Sequence, residues 1–176
     1  MGPLFSRYVF NAGELEEKLL PLLRDRVFHV TPAKGCADIC KQGLLKNNQA
    51  GKFGFTFGQS VKSYGRLNGC VCLFDLRDIS DKKVGESLEK YYFLNPSFCN
   101  DNPFFLLVSE GLYPKLISWK KAWVEKAYEK MLIPYVECWF PGDIPIDGVA
   151  EVLEVKVQRK KSPFTKAILE ANGKSG

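Results

Sequence analysis

Leu15, Leu19, Leu20 and Leu23 recur at helical spacing and predict a helix over residues 14–24, with Pro21 threatening a break. Arg26-Val27-Phe28-His29-Val30-Thr31 is an apolar, β-branched run and predicts a strand. Thr31 followed by Pro32 reads as a helix start, a capping hydroxyl and then proline at the first helical position. That helix carries Ile39 and Cys40 inward and stops at Gly43, a residue suited to a left-handed cap. Strand, cap, helix and stop agree with one another over this short stretch.

Downstream, residues 44–52 read as a polar loop, and Gly54-Phe55-Thr56-Phe57 as a short strand closed by Gly58. A short helix over residues 60–67 leads to a strand over 69–76. Residues 78–89 are charged and poorly patterned, Leu106-Leu107-Val108 is a strand, and residues 115–131 read as an aromatic-rich amphipathic helix. Residues 133–140 are again extended, Pro141-Gly142-Asp143 turns, and residues 149–157 give the last strand. Strands exceed helices without regular βαβ alternation, which predicts an α+β fold. No repeat or low-complexity linker marks a second domain, so residues 1–176 read as one unit with its core at about 26–157 and a basic tail over 158–176.

Composition narrows the classes. A chain of 176 residues that is 45% hydrophobic and 26% charged is neither disordered nor fibrous. No apolar stretch reaches the ~18 residues of a membrane span, and no secretory signal is visible, so the expectation is a cytoplasmic protein with no membrane partner. Met1-Gly2-Pro3-Leu4-Phe5-Ser6 matches the loose myristoylation pattern, but Pro3 stiffens the backbone beside the acceptor glycine. The formal net charge of +5 allows attraction to phosphate-bearing partners without demanding it. Arg159, Lys160 and Lys161 read first as a solvated tail.

Six cysteines, none in a C-x-x-C pair, and one histidine do not make a zinc ligand set, so no metal is expected. Cys70 and Cys72 alternate with Val71 and Leu73 as small residues on one strand face. Trp119, Trp123 and Tyr128, with Phe104 and Phe105, are assigned to core faces. Two residues carry candidate chemistry. His29 stands near the end of a strand, and Glu137 sits in Tyr135-Val136-Glu137-Cys138-Trp139-Phe140, on one face with Tyr135 and Trp139. A carboxylate there must be paired, hydrogen-bonded or open to a cleft, because burying it bare is costly.

Read in order, Phe28-His29-Val30-Thr31, the helix ending Gly43-Leu44-Leu45, Gly54-Phe55-Thr56-Phe57-Gly58 and Lys62-Ser63-Tyr64 resemble the amino-terminal half of the ADP-ribosyltransferase fold. Val136-Glu137-Cys138-Trp139-Phe140-Pro141-Gly142-Asp143-Ile144-Pro145 resembles that family's glutamate strand, in the manner of its DNA-modifying branch. The resemblance implies a split β-sheet core with flanking helices and NAD as substrate. It implies that His29 bonds the adenosine-side ribose, that the Val30 backbone holds the nicotinamide carboxamide, and that Thr31 belongs to the same set. Thr56 takes the place where the poly-ADP-ribose branch has tyrosine, Ser63 and Tyr64 line the nicotinamide wall, and residues 46–53 lie over the donor. Glu137 is the implied catalytic glutamate. It would stabilise an oxocarbenium-like ribosyl cation through the 2′-hydroxyl as nicotinamide leaves.

Thr56 argues against the poly-ADP-ribose branch, and Tyr135 stands where arginine-modifying members carry Glu or Gln. An aromatic at Tyr135 suits a stacked nucleobase, so the expected activity is mono-ADP-ribosyl transfer to a nucleic-acid or protein acceptor. A toxin or anti-phage role, with a cognate inhibitor, is typical of the family. Two alternatives stay open: a catalytically silent module of the same fold that binds nucleotide or a macromolecular partner, and an RNA 2′-phosphotransferase using Arg26, Lys62 and Arg66.

Overall fold

The computed structural model describes residues 2–53, 61–78, 82–89, 102–125 and 132–158. The chain is a mixed α/β protein with a mostly antiparallel sheet and several helices, in keeping with the α+β class. No described helix is long and apolar enough to cross a membrane.

The sheet starts earlier than the sequence pattern indicates. Strand β1 (Leu4–Asn11) runs parallel to the last strand, β9 (Val149–Gln158), from Leu4 opposite Glu151 to Asn11 opposite Gln158. Leu4, Phe5 and Val9 stay exposed at this sheet edge, so apolar residues occupy both faces and the alternation that would announce a strand is missing.

Helix α1 (Leu15–Leu23) contains Pro21 and continues through it. Proline costs about 3 kcal/mol in a helix interior, but Leu15, Leu19 and Leu23 are all buried, each worth about 1.5–3 kcal/mol. Burial wins. The carbonyl orphaned by Pro21 belongs to Glu17, on the exposed side, where water can reach it.

Strand β2 (Val27–Pro32) leads into α2 (Ala33–Gln42), which ends at Gly43 with φ 66°. The helix begins one residue later than predicted. Pro32 keeps an extended backbone, pairs with Pro103, and is itself the N-cap, with no side-chain cap from Thr31. Cys36 and Ile39 face inward, whereas Cys40 is exposed, because the buried stripe repeats at i and i+3. Strand β3 (Leu44–Leu45) follows; α3 (Tyr64–Leu67) and β4 (Cys70–Asp75) come next. The predicted strand around Thr56 lies outside the described residues.

Helix α4 (Lys82–Leu88) buries Val84 and Leu88 within the charged stretch, and β5 (Pro103–Val108) is a central strand. The long helix predicted over residues 115–131 is not formed through residue 125. A 3₁₀ turn (Glu110–Lys115) contains Pro114, β6 (Ile117–Ser118) is extended, and α5 (Trp119–Val124) starts only where Ser118 caps it. Residues 126–131, with Tyr128, lie outside the described residues. Strand β7 (Glu137–Pro141) is followed by β8 (Ile144–Pro145) and β9.

The large sheet has the order β1-β9-β5-β2-β4-β7-β6, and β3 pairs with β8 as a separate ribbon. One face packs on α1 and α4 through Phe28, Phe105, Leu107 and Leu153. The other packs on α2 through Val27, Leu73, Leu106 and Val152. A third cluster, Tyr64, Cys70, Ala122 and Trp139, joins α3 and α5 to β4 and β7.

Candidate active site

The sheet narrows at its middle. β2 and β4 pair only at Val27–Asp75 and Phe28–Phe74 before the ladder stops. The Leu76 N–H donates to the Arg26 carbonyl at 2.9 Å, so Arg26 turns its polar groups toward β4. Polar groups of alternate residues share an edge, so Phe28 and Val30 turn theirs the same way. Continued pairing would join Val30 to Cys72. Instead His29 Nδ1 lies 3.0 Å from the Cys72 carbonyl. Val30 pairs with Phe105 on β5, and its N–H and C=O are thereby aimed into the gap, where β4 offers no ladder partner.

A carbonyl only accepts, so His29 Nδ1 carries the proton and Nε2 remains an acceptor. Burial lowers the imidazole's pKa, against the opposing pull of the Cys72 carbonyl, and the ring is neutral at pH 7.

Glu137 opens β7, opposite Phe74 on β4. It is only 7% exposed. Its Oε2 accepts the Ile133 N–H at 2.6 Å and its Oε1 accepts the Trp139 indole N–H at 3.2 Å. It makes no ion pair with a lysine or arginine among the described residues. Burial pushes its pKa from the ordinary 4.5 up to about 7, outweighing the donors from Ile133 and Trp139. Burial, reinforced by the neighbouring Glu137, raises the Cys72 thiol well above its ordinary range, so it stays protonated and is not a nucleophile.

His29 and Glu137 therefore flank β4, the strand between β2 and β7. The Cys72 carbonyl holds His29, and Trp139, which pairs with Cys72 across the ladder, donates to Glu137. The lone histidine and the strand carboxylate stood out in the sequence, whereas Cys72 read as a small apolar strand residue. Trp139 was legible as a same-face neighbour of Glu137, but not as its hydrogen-bond donor.

Tyr64 packs its ring on Trp139 at 4.4 Å between centroids and donates its hydroxyl to Glu125 at 3.0 Å. It is buried, and burial with Glu125 pushes its pKa up to about 12. The Ser63 hydroxyl caps α3 by accepting the Arg66 N–H at 3.3 Å. Thr31 is buried beneath α2, its hydroxyl against Gly35, so its side chain faces the helix. Thr56 lies outside the described residues.

Tyr135 does not alternate along a strand with Glu137, because the strand begins at Glu137 itself. Tyr135 sits in the preceding turn with φ 71°. This left-handed residue closes the turn in which the Glu137 N–H donates to the Ile133 carbonyl at 3.1 Å. Its ring rests on Trp119 at 4.4 Å, with the Lys83 ammonium 5.4 Å from its centroid. A base stacking on Tyr135 would have to share that ring.

Gly65 lets α3 approach the site. A Cβ there would collide with Cys72 Sγ and come within 2.7 Å of Trp139 Cδ1. The indole is fully buried and cannot swing away. Gly65→Val is expected to destabilise the fold by about 1–3 kcal/mol, measured by urea unfolding. Equal stability would mean that α3 stands further from β4 and β7 than described.

Residues 46–53 form a braced loop beside these elements. The Asn47 N–H and Nδ2 both donate to Asp143 Oδ1, at 2.8 and 2.6 Å. The Asn48 side chain grips both backbone groups of Phe53, donating to its carbonyl at 2.9 Å and accepting its N–H at 3.0 Å. Comparison of the chain with protein-family models, curated proteins and solved structures finds no match.

Proposed function

We propose that the protein is an NAD-dependent mono-ADP-ribosyltransferase, which releases nicotinamide and passes ADP-ribose to an acceptor. The observation that carries this reading is the gap between β2 and β4, with the Val30 N–H and C=O directed into it, His29 held by the Cys72 carbonyl and Glu137 one strand away on β7. A paired backbone donor and acceptor matches a planar primary carboxamide, which needs one of each. His29 Nε2 accepts a ribose hydroxyl. Ionised Glu137 accepts the 2′-hydroxyl and stabilises positive charge on the ribosyl carbon as the bond to nicotinamide breaks.

Holding the donor across the gap places its anomeric carbon for the acceptor oxygen or nitrogen, which forms the new glycosidic bond and gives up its proton. Glu137, with a pKa near neutrality, suits that proton transfer.

One observation favours the silent module: Glu137 is buried and already held by Ile133 and Trp139. Nicotinamide release from NAD, measured for the wild type and Glu137→Gln, separates the two. Release that depends on Glu137 supports the transferase. A folded wild type that releases no more than the variant, with or without single-stranded DNA, RNA or cell lysate, leaves the silent module in its place.

A further inference from the structure

Charge is not spread evenly along the chain. Residues 39–74 contain Lys41, Lys46, Lys52, Lys62 and Arg66 and not one Asp or Glu. These five cations equal the whole formal net charge of +5, and elsewhere acidic and basic residues balance. The fold draws part of this stretch together. The Arg66 guanidinium on α3 lies against Gly51, whose φ of 67° is left-handed and whose added Cβ would collide with it. Gln49 likewise packs on Gly69. Asp143, the acid that reaches the loop, accepts both Asn47 donors.

Beside Arg66 the same loop presents an exposed aromatic ring. Phe53 is 44% exposed, yet both its backbone groups are held by Asn48. Such a ring loses little freedom when something stacks on it, because its backbone is already ordered. Lys46, Lys52 and Lys62 are exposed around the loop and the start of α3, and Val61 and Leu67 are half-exposed there.

We infer that the loop over residues 46–53, together with Arg66 of α3, is a binding surface for single-stranded nucleic acid. Lys46, Lys52, Lys62 and Arg66, on the loop and around the start of α3, match a polymer of phosphates better than one dinucleotide. The exposed ring selects a single strand over a duplex, since only an unstacked base offers its face. Its role in presenting the acceptor rests on the proposed transfer; the binding itself does not.

Fluorescence anisotropy tests this without NAD, using labelled mixed-sequence DNA and RNA single strands of about twenty nucleotides and the matching duplex, over a salt series. The single strand is expected to bind at least roughly tenfold tighter than the duplex. Phe53→Ala is expected to weaken it about 5- to 150-fold with the salt slope unchanged. Lys46→Gln with Lys52→Gln is expected to flatten the slope by about 0.7 per cation removed. Failure to bind, equal affinity of the Phe53→Ala protein, or an unchanged slope in the lysine variant overturns the inference. Nicotinamide release without oligonucleotide binding would sink this surface and leave the transfer reading standing. Binding that survives in Glu137→Gln, with no nicotinamide release by the wild type, would do the reverse.

Discussion

Glu137→Gln is expected to lower the rate of nicotinamide release from NAD by about 10²–10³-fold while the chain remains folded. The substitution keeps the size of the side chain and one oxygen, so Ile133 N–H can retain an acceptor. It removes the negative charge that offsets the developing ribosyl cation. Loss of one aimed electrostatic stabiliser from a water-poor site has this order of effect in other enzymes. The wild-type rate is expected to rise with pH through about 7, the value to which burial pushes the Glu137 carboxyl, because the ionised form does the work. A flat profile from pH 5.5 to 8.5 would assign the chemistry to another group, and a Gln variant as fast as the wild type would remove Glu137 from it altogether. Far-UV circular dichroism of both proteins separates lost chemistry from lost fold.

Local signals made some of this structure legible. The strand from Val27, the helix closed by Gly43 and the strand from Val149 were readable from their apolar runs and the glycine stop, although the Thr31 cap does not form. Strand β1 was not, since its exposed Leu4, Phe5 and Val9 erase the alternation. The stretch after Lys115 carries aromatics at near-helical spacing, but extended backbone at Leu116 and the cap at Ser118 cut it short. Tyr135 was assigned a strand face because a period of two cannot register a left-handed residue in the turn before the strand.

The candidate site divides the same way. His29 and Glu137 were visible because a single histidine and a carboxylate among apolar residues are chemically conspicuous. What sets them on either side of β4 was not visible. It depends on β4 lying between β2 and β7, and on the ladder stopping after Phe28, both of which are properties of long-range pairing. Cys72 shows the limit well: it looked like filler for a strand, and only the register places it across from Trp139, the donor to Glu137, with its carbonyl on His29. The charge asymmetry of residues 39–74 was present in the sequence throughout, but it gained meaning once Arg66 was found against the loop that presents Phe53.

Stability is expected to carry the mark of Glu137 in a direction opposite to that of most carboxylates. A salt-bridged Asp or Glu has a depressed pKa and stabilises the fold as pH rises; Glu137 is buried without a cationic partner among the described residues, and its pKa is raised from 4.5 to about 7. Below 4.5 the group is protonated in both folded and unfolded chains and contributes no pH dependence. Between 4.5 and 7 the unfolded chain has released the proton while the folded one still holds it, so each step up in pH favours unfolding. Above 7 both states are ionised and the loss is complete. The shift corresponds to about 3 kcal/mol. Other groups titrate over the same range, so the informative quantity is the wild-type unfolding free energy minus that of Glu137→Gln, measured in urea at several pH values from 4.5 to 8. That difference is expected to fall by about 3 kcal/mol as pH rises, steepest between 5 and 7. A difference that stays level would mean that water reaches the carboxylate in solution, whereas one that rises would require a cation beside Glu137. If the fall is observed and NAD abolishes it, the donor is binding the ionised form. That result would tie the buried carboxylate to the reaction independently of any rate.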